Sequence, residues 1–239
     1  MMDLTRLGVK VFADGANLDD IARLAALPYI AGFTTNPTLM KKAGVTSCHE
    51  FARQALPLIG GKPISIEVLS DDLAMMEREA HTIAEWSGNI YVKVPITNTQ
   101  RESTLPVVRR LARDGVRVNV TAMTTTLQVR AVVEVLSDIQ TSTYVSMFAG
   151  RIADAGADVV SIMREAAMLT DMAPSVELIW ASPRELYNVV QAAQAHAHII
   201  TLTPDLLAKL PLLGKDLDDY SLETVQMFYR DAQSAGLTL

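Results

Sequence analysis

Residues 89–97, NIYVKVPIT, set one lysine inside an apolar run. An ammonium group is costly to bury without a partner, so Lys93 calls for a chemical reason. Burial or neighbouring cations lower a lysine's pKa, and the neutral amine attacks carbonyl carbon to form a Schiff base. The iminium is an electron sink, so a C–C bond one carbon away can break or form. Such chemistry needs a base for a substrate hydroxyl and a proton relay for the carbinolamine. It also needs hydrogen bonds to a polyol and cations for an anionic group. Asp14, the pair Glu67 and Thr121, the pair Asn36 and Asn119, and the pair Arg151 and Arg184 match those four needs in turn. No metal and no other cofactor is required.

These residues must be positioned by regular elements. Short β-rich segments recur along the chain: 9–13, 32–35, 64–69, 90–94, 116–122, 143–149, 176–181 and 198–203. Between them lie helical stretches such as 71–87, 101–114, 124–138, 153–170 and 183–195. Strand–helix alternation predicts a parallel sheet covered by helices, and this number of units predicts closure into a (β/α)8 TIM barrel. A doubly wound open sheet is the runner-up. It usually has fewer strands and a Gly-rich first turn, whereas the first turn here reads DGANLDD. Pro and Gly are scattered, without a low-complexity linker, so residues 1–239 read as a single domain.

Barrel enzymes work at the C-terminal ends of their strands. The polar residues there are Asp14, Thr34, Thr35, Asn36, Glu67, Lys93, Asn119, Thr121, Ser146, Ser182, Arg184, Thr201 and Thr203. Side chains two apart on a strand share a face. Val92 and Val94 suit the helix-covered side, which turns Tyr91 and Lys93 into the barrel. The same parity pairs Ser65 with Glu67 and Asn119 with Thr121. Each residue alone has a plain structural reading. Glu67 is a salt-bridge partner for Lys93, Asp14 caps the helix starting near Leu18, and Asn36 before Pro37 makes a turn. Ser182 before Pro183 caps the following helix. Together they form a polar layer that folding does not require.

Of the 239 residues, 49% are hydrophobic and the net charge is −6, which disfavours a nucleic-acid partner but leaves room for a local anion site. The single cysteine, Cys48, excludes an internal disulfide and multi-thiolate metal centres. His196 and His198 lack a third ligand, and Cys48 and His49 are sequence neighbours whose side chains should not meet. The N-terminal seventeen residues show no leader pattern, and no apolar run approaches the ~18 residues of a membrane span. A cytoplasmic protein without a membrane partner is expected. Residues 219–235 read as an additional C-terminal helix, with Leu222, Val225, Phe228 and Tyr229 at helical spacing. It packs either on its own barrel or on a neighbouring subunit.

The stretches FTTNPTLM, ISIEV, IYVKVPIT, VNVTAMTT and SMFAGRIADAG, taken in order, resemble the transaldolase family. More narrowly, they resemble the short microbial transaldolases and the fructose-6-phosphate aldolases of similar size. The resemblance implies a (β/α)8 barrel and a class I mechanism. Lys93 would form the Schiff base, Asp14 would be general acid/base, and Glu67 with Thr121 would hold the catalytic water. Asn36, Asn119 and Ser146 would bind the dihydroxyacetone portion, and Arg151 the phosphate. Aldolases that release free dihydroxyacetone carry Gln where Glu67 stands and Tyr where Phe148 stands, so the transferase branch is the better match. The strand-seven stretch WASPRELYN departs from the family's Ala-Ser-Phe-Arg/Lys: Ser182 keeps its place, and Arg184 is the displaced basic residue. A sulfo-sugar or another ketose is compatible with that departure, as is a non-catalytic sugar-phosphate-binding barrel. The resemblance further implies a homo-oligomeric ring, a pentamer or decamer.

Overall fold

A computed structural model describes residues 7–238. Residues 1–6, the first part of the segment read above for a leader, and residue 239 lie outside the described residues. Strands and helices alternate as β1 (Lys10–Asp14), α1 (Leu18–Ala25), β2 (Ile30–Thr34), α2 (Pro37–Lys42), α3 (Cys48–Leu58), β3 (Ile64–Glu67), α4 (Leu73–Glu85) and β4 (Ile90–Pro95). They continue with α5 (Leu105–Arg113), β5 (Val118–Met123), α6 (Thr126–Leu136), β6 (Thr143–Met147), α7 (Ala149–Asp154), α8 (Val159–Thr170) and β7 (Val176–Trp180). The chain ends with α9 (Asn188–Gln194), β8 (Ile199–Leu202), α10 (Pro204–Leu207) and α11 (Leu217–Ser234). The eight strands close into one parallel barrel in sequence order, β8 pairing back onto β1. The open-sheet alternative is thereby excluded.

Parity explains which side chains fill the two layers. Outward residues such as Ile66, Val92, Val94, Val118, Val120, Val145 and Leu178 are fully buried under the helices. Each such burial contributes about 1.5–3 kcal/mol. Helix entry is set locally: the side chains of Asn17, Asn36, Ser47, Asp72 and Asp158 each accept from a backbone N–H three residues on. Thr125 and Gln128 complete a capping box on α6.

Inside the barrel an aromatic floor lies beneath the polar layer. Tyr91 stacks on Tyr144 with ring centroids 3.8 Å apart, and Phe12 meets Tyr144 edge-on at 5.8 Å. Burial, with Tyr91 alongside, pushes the Tyr144 hydroxyl above the ordinary tyrosine range. Gly32 makes room for the floor, because a Cβ there would sit 2.6 Å from the Phe12 ring. Phe12, Tyr91 and Tyr144 are all buried, and so is Lys93 two residues beyond Tyr91 on β4.

The predicted helix over 153–170 is two helices, divided where Gly156 takes φ +79°. The cap expected from Asp14 comes instead from Asn17. Ser182 is not a helix cap either: α9 starts six residues later, and Ser182 itself takes φ +58°. The C-terminal helix is present, but none of its residues is buried. The helices that follow each strand already occupy the barrel's outer layer, which leaves α11 no groove of its own to fill. Leu222, Val225, Phe228 and Tyr229 are all more than half exposed.

Candidate active site

Lys93 points into the barrel as parity requires, 5% exposed, with Val92 and Val94 on the helix side. The β3–β4 register sets Glu67 directly opposite it, and the Glu67 Oε2–Lys93 Nζ distance is 3.1 Å. Lys93 Nζ also donates to the Thr35 backbone carbonyl at 2.8 Å. Two acceptors thus hold the amine at a fixed point across β2, β3 and β4.

On the other side, β5 places Asn119 opposite Lys93 and Thr121 opposite Pro95. Asn119 Nδ2 donates to Ser65 Oγ at 3.0 Å, and Ser146 Oγ donates to Asn119 Oδ1 at 2.8 Å. All three are buried, so this chain fixes the amide's orientation next to the lysine. Thr121 Oγ1 is buried and lacks a hydrogen-bond partner within the described residues, which suits it to hold a water. Its placement comes with backbone strain: the next residue, Ala122, takes φ +64° where the β5–β6 register shifts. Such a bulge re-aims side chains at a strand end.

Asp14 ends β1, with Thr34 opposite it on β2. Thr34 Oγ1 donates to Asp14 Oδ1 at 2.7 Å. Burial pushes the Asp14 carboxyl above its ordinary range, only partly offset by the Lys93 cation and the Thr34 hydroxyl, while Glu67 adds to the rise. A carboxyl tuned upward binds a proton more readily than an ordinary one, as a group that takes and returns a substrate proton must. A cavity of about 290 Å³ adjoins it, with Asp14, Asn17, Lys42 and Thr203 among its walls.

Asn36 is a half-buried residue at the end of β2; its Oδ1 caps α2 through Leu39 N–H at 3.0 Å, leaving its amide N–H groups for another partner. The β6 end carries Phe148 and Arg151, the guanidinium lying 5.3 Å from the Phe148 ring centre. Arg184 behaves differently from the expectation for an anion ligand. It pairs with Asp154 through Nε at 3.0 Å and Nη2 at 2.5 Å. The turn bearing Ser182 approaches α7 so closely that a Cβ on Gly150 would lie 1.7 Å from the Ser182 carbonyl oxygen.

The barrel therefore gathers Lys93, Glu67, Asn119, Thr121 and Ser146 around one interior point, with Asp14 on the β1 side. Arg151 lies on α7 just after β6, and Ser182 and Arg184 lie on the loop after β7. Thr35, whose main-chain oxygen holds the lysine, has no signal in its residue type. Thr34 and Thr201 carried a signal only as polar strand ends.

The family model described as Transaldolase/Fructose-6-phosphate aldolase matches residues 11–239. A relative from Thermoanaerobacter sp. (strain X514), named "Probable transaldolase", is 34% identical over 232 residues, covering 97% of this chain and 100% of its own. A relative from Listeria monocytogenes, named "Probable transaldolase 2", is 32% identical over 216 residues, covering 89% of this chain and 94% of its own. Among solved structures, the deoxyribose phosphate aldolase from Aeropyrum pernix superposes with a TM-score of 0.57 at 14% identity, covering 84% of this chain and 88% of that one. That last likeness is one of fold.

Proposed function

Since the chain belongs to the transaldolase/fructose-6-phosphate aldolase family, we propose that it moves a dihydroxyacetone unit from a ketose phosphate to an aldose phosphate through a Schiff base on Lys93. The observation that carries this reading is a buried amine, held at 2.8 Å and 3.1 Å by Thr35 and Glu67, inside the barrel above an aromatic floor.

In this mechanism Lys93 Nζ gives up a proton and attacks the ketone carbon. Glu67, with a water on Thr121 Oγ1, relays the protons as the carbinolamine loses water and becomes an iminium. Asp14 then takes the proton of the substrate hydroxyl beside the scissile bond. The O–H electrons become the aldehyde's C=O, the C–C bonding pair becomes the C=C bond of an enamine, and the iminium C=N π pair moves onto the Lys93 nitrogen. Attack of that enamine on an acceptor aldehyde, with return of the Asp14 proton to the new alkoxide, runs the steps backward. Asn36, Asn119 and Ser146 hold the three-carbon portion, and Arg151 the anionic tail beside Phe148. The pairing of Arg184 with Asp154 supports a tail site centred on Arg151, with Ser182 and Arg184 shaping the loop.

The family includes fructose-6-phosphate aldolases as well as transaldolases. Release of free dihydroxyacetone is therefore the second reading, and a ketose such as a sulfo-sugar is a further donor. Borohydride reduction with a panel of ketose phosphates and sulfonates tests the mechanism and the tail preference together. A mass increase on wild type that disappears in Lys93→Ala supports the Schiff base. An unchanged wild-type mass leaves only a sugar-phosphate-binding barrel. Product release that needs an aldehyde acceptor marks a transferase. We also infer a cytoplasmic homo-oligomer, consistent with the apolar residues that α11 leaves exposed.

A further inference from the structure

We propose that Thr201 is a positioning residue for this reaction, holding Thr34 so that Asp14 Oδ1 is occupied and Oδ2 is left to take the substrate's proton. The proposal rests on the acid/base reading of Asp14.

The three residues belong to adjacent strands at the seam where the barrel closes. Asp14 ends β1, and its two neighbours β2 and β8 bring Thr34 and Thr201 to within 2.5 Å, Oγ1 to Oγ1, inside the barrel. Both hydroxyls are buried, at 4% and 3% exposure. Each hydroxyl has one hydrogen to give. Thr34 donates its hydrogen to Asp14 Oδ1 at 2.7 Å, so the hydrogen between the two threonines belongs to Thr201. The chain runs one way, from Thr201 to Thr34 to the carboxylate.

That direction decides where a proton can rest. With a proton on Oδ1, Asp14 would have to donate to Thr34, and Thr34 to Thr201. The Thr201 hydrogen would then need an acceptor, and Thr34 is its sole hydrogen-bond partner among the described residues. A buried hydroxyl without a partner is unfavourable. A proton arriving on Oδ2 leaves the chain undisturbed. The relay therefore keeps Oδ1 filled through both protonation states and presents one oxygen to the substrate. Without Thr201, Thr34 loses the donor that fixes its rotation, and its own bond to Asp14 weakens.

The test uses Thr201→Val, which removes the hydroxyl at nearly constant shape, and Thr201→Ser, which keeps it. Borohydride trapping of Lys93 by a ketose phosphate is expected at the wild-type extent in both. In Thr201→Val, kcat should fall roughly tenfold with KM nearly unchanged, the loss of one oriented hydrogen bond. Thr201→Ser should stay within about twofold of wild type. The acid limb of the kcat–pH profile should move upward in Thr201→Val, because donors to a carboxylate favour its ionised form. The charged groups around Asp14 are Lys93 from β4 and Glu67 from β3, with Asp20 of α1, Lys42 of α2 and Asp205 of α10 around the adjoining cavity. Both variants keep all of them, so a moved limb reports the hydroxyl. Unchanged kcat and pH limb in Thr201→Val would overturn the proposal. So would a Thr201→Ser enzyme as slow as Thr201→Val, which would mean that packing alone matters, or loss of trapping in either. A wild type that cannot be trapped overturns the Schiff-base reading first and this proposal with it.

Discussion

Asp14 carries opposite demands. Its folded-state pKa lies above the unfolded value because burial disfavours the charged form. The protonated form is therefore the one that folding favours, and this contribution is lost as pH rises through the folded-state pKa. Above that pH the ionised carboxylate costs stability. Asp14→Asn should accordingly melt higher than wild type at pH above that folded-state pKa, at about 2–4 °C for each kcal/mol recovered. It should keep borohydride trapping but lose about 10²–10⁴-fold in turnover, since a positioned base is gone. Thermal melts paired with steady-state rates check both halves, and a variant that is neither more stable nor slower contradicts this reading of Asp14. The two guanidiniums are also separable at this scale. Arg151→Ala should raise KM for phosphorylated donors by tenfold or more, on the order of one charge-assisted hydrogen bond. Arg184→Ala should do much less, because its partner is Asp154.

At the level of elements, the strand ends are where the backbone leaves its relaxed range. Ala122 on β5 and Ser182 after β7 both take positive φ without being glycine. Ala122→Gly should stabilise the fold by about 1 kcal/mol, because relief of the left-handed conformation outweighs the added chain entropy. It should also slow the reaction by loosening Thr121, and denaturant melts with rate measurements at saturating donor read both effects. Gly150 is the reverse case. A methyl group there meets the Ser182 carbonyl, a backbone atom that cannot swing aside. Gly150→Ala should displace the β7 loop and raise KM for anionic donors more than it lowers kcat. Equal kinetics for Gly150→Ala and wild type would show that this close approach plays no part in holding the tail.

For the whole molecule, the unburied α11 is the outstanding feature. Its apolar residues Leu222, Val225, Phe228 and Tyr229 recur at helical spacing on an element none of whose residues is buried. Light scattering should report an oligomer for the native chain and a smaller species for Leu222→Glu combined with Phe228→Glu, with far-UV dichroism unchanged. A native chain that runs as a monomer at all concentrations contradicts the proposed assembly.

Much of this was legible from residue order. Alternating apolar positions on β3, β4 and β5 are enough to decide which side chains face inward, so Lys93, Glu67, Asn119 and Thr121 could be placed in the barrel from parity alone. The regular spacing of strands and helices specified the closed sheet, because parallel strands require crossovers and eight of them close. Contacts between distant strands were decided only by folding. The meeting of Thr34 and Thr201 across β1 depends on the stagger of the seam. Capture of Lys93 by the Thr35 carbonyl uses an atom common to every residue type. The diversion of Arg184 to Asp154 and the break at Gly156 follow from how loops pack, where no side-chain period exists to be read.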